Sequence, residues 1–346
     1  MSMRPFQLRP DEKQQIFLEK MVGLTKHHIT NCQFYNNFLS AYGFEISAVS
    51  DLSDIPYLPA RFFKEFTLNS GSSKPNAIAT SSGTNGQVSK IALSHKTMLA
   101  QSMALNSIVK SFIGKDKLPM LIFEKPNLIN NKLSFNARAA GVMGFSKFGS
   151  EIFFVFDKFD EIDFGAIDRF NSLASDTGGL AFGFTSTVWE VLRSDNFPKI
   201  GSDYSAMKLI HGGGWKKLAA LNISDNDFNS LVSSKINRCT THNYYGMVEQ
   251  TGSIFFECET GRMHASSFSE VIVRDVETLA PLEPGKVGVI QVLSSLPESY
   301  PGHSILTEDL GIMEADCLCE CGRFGSIVKV LGRLPEAEVR GCSDVY

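Results

Sequence analysis

Thr80-Ser81-Ser82-Gly83-Thr84-Asn85-Gly86-Gln87-Val88-Ser89-Lys90 is the stretch on which the reading of this chain turns. It gathers hydroxyls, glycines and one cation into a single short run. Ser and Thr hydroxyls, with backbone N–H groups that glycine leaves accessible, donate hydrogen bonds to phosphate oxygens, and an ammonium balances charge without a fixed geometry. The same composition also makes an ordinary polar turn, so the flanks must decide. A Walker loop carries its Lys directly behind the last glycine at a strand-to-helix junction. Here Lys90 stands four residues after Gly86, which excludes that loop. Residues 76–80 and 90–93 read as extended, so the run is the tip of a strand pair. A helix is expected to follow, with Ser94 as N-cap and Met98, Leu105, Val109 and Phe112 as its apolar stripe.

Toward the N-terminus, residues 11–42 read as helical, with Phe17, Met21, Leu24 and His28 at helical spacing, so His27 and His28 are packing or surface residues. Pro56 and Pro59 interrupt that pattern. Beyond the hairpin, residues 118–123, 151–156, 179–184 and 207–210 form short apolar runs bounded by Gly, Pro and Asp, the pattern of an α/β sheet. Residues 270–274, 287–293 and 327–331 are apolar runs with little helix between them, which predicts an antiparallel β-rich subdomain. No internal repeat or low-complexity linker is expected.

The 346 residues are 43% hydrophobic and carry a net charge of -4, enough to build one large or two moderate cores and no basic surplus for nucleic acid or an anionic membrane. No apolar run reaches the length of a membrane span, and residues 1–13 are too polar for a signal peptide, so a cytoplasmic location is expected. Seven cysteines, unevenly placed, point to metal or thiol chemistry rather than a secreted disulfide framework. Cys317, Cys319 and Cys321 fall within five residues, and Cys258 with His264 lies upstream. Four soft or imidazole ligands from two loops suit a tetrahedral structural zinc, reduced thiols in a hairpin being the alternative. Cys32 and Cys239 read as small packing residues.

Three further motifs carry chemistry. After residue 210 comes His211-Gly212-Gly213-Gly214-Trp215-Lys216, whose glycines let backbone approach a flat ligand or another segment closely. Asn243-Tyr244-Tyr245-Gly246-Met247-Val248-Glu249 combines an aromatic face with a carboxylate that can hold Mg²⁺, an ion needing only one or two carboxylates beside phosphate oxygens. Asp309 in Thr307-Glu308-Asp309-Leu310-Gly311 can accept ribose hydroxyls or simply form a turn. Leu331-Gly332-Arg333 ends a predicted strand with a cation.

In that order, the five motifs SSGTNGQVSK, HGGGW, YYGMVEQ, TEDLG and VLGR resemble the adenylate-forming superfamily of acyl- and aryl-acid activating enzymes. The chain is most similar to its LuxE-type acyl-protein synthetases, with phenylacetate-activating ligases as more distant relatives. The resemblance implies an α/β core of mixed sheets and packed helices with a C-terminal β-rich subdomain over residues 1–333. It implies that Ser81, Ser82, Gly83, Thr84, Gly86 and Lys90 grip the ATP phosphates. Gly212, Gly213 and Gly214 would enclose adenine with Tyr245 and Gly246. Glu249 would hold Mg²⁺, Asp309 would accept the ribose, and Arg333 would contact ribose or phosphate. Val248 departs from the Thr often found before the metal-binding Glu, so another group, His211 or Lys216, is expected to supply that phosphate contact.

The usual lid domain has no room after Arg333. In its place stands a short arm, residues 334–346, whose Cys342 the resemblance makes the acyl acceptor. Relatives that activate aryl acids carry a similar Cys and His upstream of a Cys-x-Cys-Gly-Arg, which selects Cys258, His264, Cys319 and Cys321 as zinc ligands, with Cys317 in reserve. The implied activity is ATP-dependent activation of a carboxylic acid, a long-chain fatty acid by family, and transfer to Cys342 for delivery to a partner acyl reductase. The alternatives are transfer to coenzyme A or a carrier protein, and a zinc-stabilised scaffold without turnover.

Overall fold

A computed structural model describes residues 4–71, 74–81, 88–126, 134–214, 223–314 and 318–334. The chain divides into two compact units, one of residues 1–112 with 245–339 and one of residues 113–244 with 340–346.

The second unit is a parallel sheet. Its strands lie in the order Cys239–Tyr245, Met207–Gly212, Gly179–Phe184, Leu118–Ile122, Gly149–Phe154, and each neighbouring pair is parallel. The earliest strand, Leu118–Ile122, lies between the two that follow it in the chain, so the connections run outward in both directions. Parallel strands need crossover connections, and the helices Phe164–Thr177, Thr185–Leu192 and Asp225–Lys235 supply them. Gly179–Phe184 is buried at every position, as a strand covered on both faces must be. Phe123, Phe170, Val188, Leu209, Phe228 and Val232 build the core between sheet and helices.

The first unit carries the expected antiparallel β-rich part. Its strands follow the order Ser269–Arg274, Val287–Ser294, Ser304–Glu314, Ile327–Arg333, Met263–His264, Phe255–Glu257, all antiparallel to their neighbours. Leu58–Pro59 adds a short parallel pairing to Ser304–Glu314. The long helix Pro10–Asn31 buries Phe17, Met21, Leu24 and His28, the face read from the sequence, and packs Phe17, Met21 and Leu24 with Ile272 and Leu293.

Ala77–Thr80 and Lys90–Leu93 form the antiparallel hairpin that the serine-rich run demanded. The helix His95–Ile113 follows, and Ser94 caps it as expected, its Oγ accepting from the Thr97 N–H at 3.2 Å. The buried face differs in part from the expected stripe. Val109 and Phe112 are buried, but in the first half of the helix the polar residues Thr97 and Gln101 are buried while Met98 is only half-buried. Among the described residues no helix is long and apolar enough to cross a membrane.

Candidate active site

In the first unit the hairpin and the Tyr-Gly-Glu turn meet. Ser81 and Ser89 close the described base of the hairpin: the Ser81 N–H donates to the Ser89 carbonyl at 3.2 Å and the Ser89 N–H to Ser81 Oγ at 2.9 Å. Lys90 starts the return strand and is exposed. Ser82, Gly83, Thr84 and Gly86 lie outside the described residues.

Glu249 sits in the single-turn helix Val248–Gln250 and is buried. Burial raises its carboxyl above the usual carboxylate range, while the Ser89 hydroxyl, its own backbone N–H and the Arg333 charge pull it down. The Glu249 carboxyl thus lies near Ser89 at the base of the hairpin. Val248 is buried too, so its side chain lies in packing.

Antiparallel register places Asp309 directly opposite Arg333, with Arg333 Nε at 3.6 Å from Asp309 Oδ1 and Nη1 at 3.8 Å from Glu308 Oε2. Tyr245 donates its hydroxyl to Asp309 Oδ2 at 2.6 Å. Burial raises Asp309, and the Tyr245 hydrogen bond and the Arg333 charge oppose it. The Tyr245 hydroxyl is pushed well up by its own burial and by the Asp309 carboxylate, so it stays a proton donor. Tyr245, Asp309, Arg333 and Glu308 therefore form one connected polar group, and the Glu249 carboxyl lies near enough to Ser89 and Arg333 to feel both.

The glycine motif belongs to the second unit, and its three glycines differ. A Cβ on Gly212 would run into the Tyr244 ring, so that glycine makes room for an aromatic neighbour on the next strand. Gly213 has φ +83°, which favours glycine, and a Cβ on Gly214 would meet nothing within 4 Å. His211, just before these glycines, is buried. Its ring lies on Phe228 with centroids 4.4 Å apart, its Nδ1 is 3.0 Å from Thr185 Oγ1, and burial pushes its pKa down to about 3. A neutral imidazole packed on a core helix has the surroundings of a packing residue. Trp215 and Lys216 lie outside the described residues.

The ligand atoms of Cys258, His264, Cys319 and Cys321 all lie within 4.8 Å of one another. Two copies of one turn bring the three cysteines there, and the strand Met263–His264 brings the histidine. In Cys258-Glu259-Thr260-Gly261-Arg262 the Cys258 N–H donates to the Arg262 carbonyl and Gly261 N–H to the Cys258 carbonyl, at 2.8 and 3.0 Å. In Cys319-Glu320-Cys321-Gly322-Arg323 the same two bonds recur at 2.9 and 2.8 Å. Gly261 and Gly322 both take the left-handed backbone, φ +74° and +80°. The chain therefore holds a five-residue repeat, contrary to the expectation of none; it was legible as CETGR and CECGR. Thr260 occupies the place of Cys321 in the first copy, its hydroxyl 3.1 Å from Cys258 Sγ and 3.6 Å from Cys319 Sγ. His264 Nε2 lies 3.6 Å from Cys321 Sγ. Cys317 lies outside the described residues, as do Arg340 and Cys342. Burial raises the Cys239 thiol to about 12, which fits an inert packing role.

A parallel α/β unit and an antiparallel unit make up a fold shared with solved acid–CoA ligases. Its fold matches 2-hydroxyisobutyryl-CoA ligase, solved in an open conformation with 2-HIB-AMP and CoA, at a TM-score of 0.73 over 96% of this chain and 77% of that one, with 13% identity. The same ligase in its thioesterification state matches at 0.72, over 95% and 69%, with 14% identity. The chain belongs to the LuxE acyl-protein synthetase family, whose model matches residues 1–346. It is 24% identical over 348 residues to a long-chain-fatty-acid–luciferin-component ligase of Vibrio harveyi, covering 98% of this chain and 89% of that protein. A protein of the same name from Aliivibrio fischeri is 28% identical over 166 residues, 46% of this chain and 42% of that one.

Proposed function

We propose that the chain activates a long-chain fatty acid with ATP and then carries the acyl group on Cys342 as a thioester for a partner acyl reductase. The observation that carries this reading is the nearness of the Glu249 carboxyl to Ser89 at the base of the hairpin, in the unit that also holds Tyr245, Asp309 and Arg333. The substrate class is taken from the relatives, which are named as long-chain-fatty-acid ligases.

In the first step a carboxylate oxygen attacks the α-phosphorus of ATP; the bond to the bridging oxygen breaks and pyrophosphate leaves with its electron pair. Ser81, Ser82, Gly83, Thr84, Gly86 and Lys90 hold the phosphates and offset their charge. Asp309, oriented by Tyr245 and Arg333, accepts the ribose hydroxyls. Gly246 beside Tyr245 is the first unit's candidate for the adenine face; the resemblance alone also assigns Gly212, Gly213 and Gly214 to adenine. In the second step the Cys342 thiolate attacks the acyl carbonyl carbon and AMP departs, leaving a thioester. Residues 1–333 are then the adenylating core, and residues 334–346 the arm that bears the acyl group. A cytoplasmic location suits an enzyme that draws on ATP.

Glu249 fits Mg²⁺, because a single buried carboxylate beside phosphate oxygens is a sufficient protein ligand. Bound there, the ion neutralises phosphate charge. Cys258, His264, Cys319 and Cys321 fit a structural zinc: three thiols and one imidazole within 4.8 Å suit a tetrahedral ion. Cys319→Ser is expected to abolish stoichiometric zinc, measured by mass spectrometry of the purified protein, and to lower Tm by roughly 5 °C or more.

The acyl transfer is tested with labelled fatty acid and ATP. The label is expected on the protein, released by hydroxylamine and absent from Cys342→Ser. Consumption of coenzyme A with no protein-bound label would replace this reading by a coenzyme A ligase.

A further inference from the structure

Residues 297–303 form an irregular segment that is nearly all buried, which is unusual for a loop because its backbone groups must find partners inside the protein. They do. The Pro297 carbonyl faces His28 Nε2 at 3.3 Å, the Ser299 carbonyl accepts from the Ser70 N–H at 2.8 Å, and the Gly302 carbonyl accepts from Gln250 Nε2 at 2.9 Å. The segment is therefore fixed on several sides.

Two adjacent residues in it reach in different directions. Ser299 engages the phosphate hairpin and the helix behind it. Its Oγ donates to the Ala92 carbonyl at 2.9 Å and accepts from the Ser94 N–H at 3.2 Å, and its N–H donates to Thr97 Oγ1 at 3.2 Å. Tyr300 engages the turn that carries Glu249. Its hydroxyl donates to the Glu249 carbonyl at 2.8 Å and accepts from Gln101 Nε2 at 3.4 Å, with its ring edge-on to Phe63. Thr97 and Gln101 are the polar residues that occupy the buried face of helix His95–Ile113 where an apolar stripe was expected.

The rest of the turn is equally confined. Gln250 donates to the Val292 carbonyl at 3.1 Å as well as to Gly302. A Cβ on Gly302 would meet the Tyr300 ring, and would lie 2.9 Å from the Glu249 carbonyl.

We propose that Ser299 and Tyr300 are positioning residues that set the span between the phosphate hairpin and the Glu249 carboxylate, so that one Mg·ATP engages both. This rests on Glu249 being the magnesium ligand. Ser299 holds the return strand at Ala92 and the helix cap at Ser94, Tyr300 holds the backbone of Glu249, and one peptide unit joins them. Neither side chain touches the nucleotide; each acts through what it holds.

The test is calorimetric binding of ATP to the full-length protein, with Mg²⁺ and with EDTA. Losing the Tyr300 hydroxyl removes one buried hydrogen bond, so Tyr300→Phe is expected to lose about five-fold of the Mg²⁺-dependent gain in ATP affinity, with affinity in EDTA changed less than about two-fold. In the Glu249→Gln background, Tyr300→Phe is expected to add nothing, since residues acting as a unit are non-additive. Equal weakening with Mg²⁺ and with EDTA, or the same loss in both backgrounds, would make Tyr300 a folding residue and overturn the proposal. If Glu249→Gln keeps the full Mg²⁺ gain, the magnesium assignment fails and takes this proposal with it, an outcome distinct from the others. Should Tyr300→Phe not fold, Ser299→Ala loosens the same span from the hairpin side and carries the same readout.

Discussion

At Asp309 three influences meet: burial that opposes its charge, an arginine across the strand pair, and a tyrosine hydroxyl 2.6 Å away. The tyrosine decides how the carboxylate faces, because a short hydrogen bond to a charged acceptor is directional where a 3.6 Å ion pair is not. Tyr245→Phe is expected to raise the KM for ATP by about three- to ten-fold with kcat little changed, read by steady-state pyrophosphate release. Asp309, Arg333 and Glu249 were singled out by the ordered motifs that resemble the adenylate-forming enzymes, since alone a carboxylate such as Asp309 reads as a turn residue. Tyr245 was read for its ring, and its hydroxyl proves the more informative part. Ser89, Ser299 and Tyr300 carried no such signal, since a buried hydroxyl is defined by partners far away in the chain.

The elements were legible where periodicity is strong and obscured where polar groups are buried. The hairpin, its Ser94 cap and the face of Pro10–Asn31 follow from alternation, capping and helical spacing. Helix His95–Ile113 departs from its apolar stripe because Thr97 and Gln101 are needed inside as hydrogen-bond partners. The repeated turns at Cys258 and Cys319 were overlooked because a five-residue repeat is shorter than the periods that mark repeat folds. Two left-handed glycines, Gly252 before the first of these turns and Gly261 within it, separate strain from crowding. Gly252 has φ +91° and a Cβ there would lie 2.5 Å from the Gln101 carbonyl, whereas Gly261 has φ +74° and open space. Gly261→Ala is expected to destabilise by about 1 kcal/mol and Gly252→Ala by about 3 kcal/mol or more, measured by urea unfolding.

Across the whole molecule, three of the five buried histidines among the described residues set a pH limit. His28 and His303 stack with centroids 4.8 Å apart in the first unit, and His211 is buried in the second. Burial lowers all three, with His303 and His27 adding to it at His28, His27 at His303 and His242 at His211; His303 and His211 fall to about 3 from an ordinary 6.5. Between those limits the unfolded chain binds protons that the folded chain refuses, so stability rises with pH there. Stability is therefore expected to be full above about pH 6.5 and to fall steadily as pH drops toward 3, beyond what carboxylate protonation alone produces. His303→Asn is expected to flatten that slope, checked by urea midpoints from pH 7 to pH 4.5. The two-unit division is the part of the fold that the sequence did not announce, because its boundaries fall inside regular structure, at Phe112 and Tyr245, rather than in a linker.

The central claim is that Glu249 and the nearby hairpin form the site of acid activation. It is tested most directly by fatty-acid-dependent exchange of labelled pyrophosphate into ATP, a reaction that needs adenylate formation and no acyl acceptor. Wild type and Cys342→Ser are expected to exchange alike, and Glu249→Gln to lose at least about a hundred-fold, as removal of a charge-stabilising group at a phosphoryl centre does. Exchange by Glu249→Gln at the wild-type rate would contradict the account.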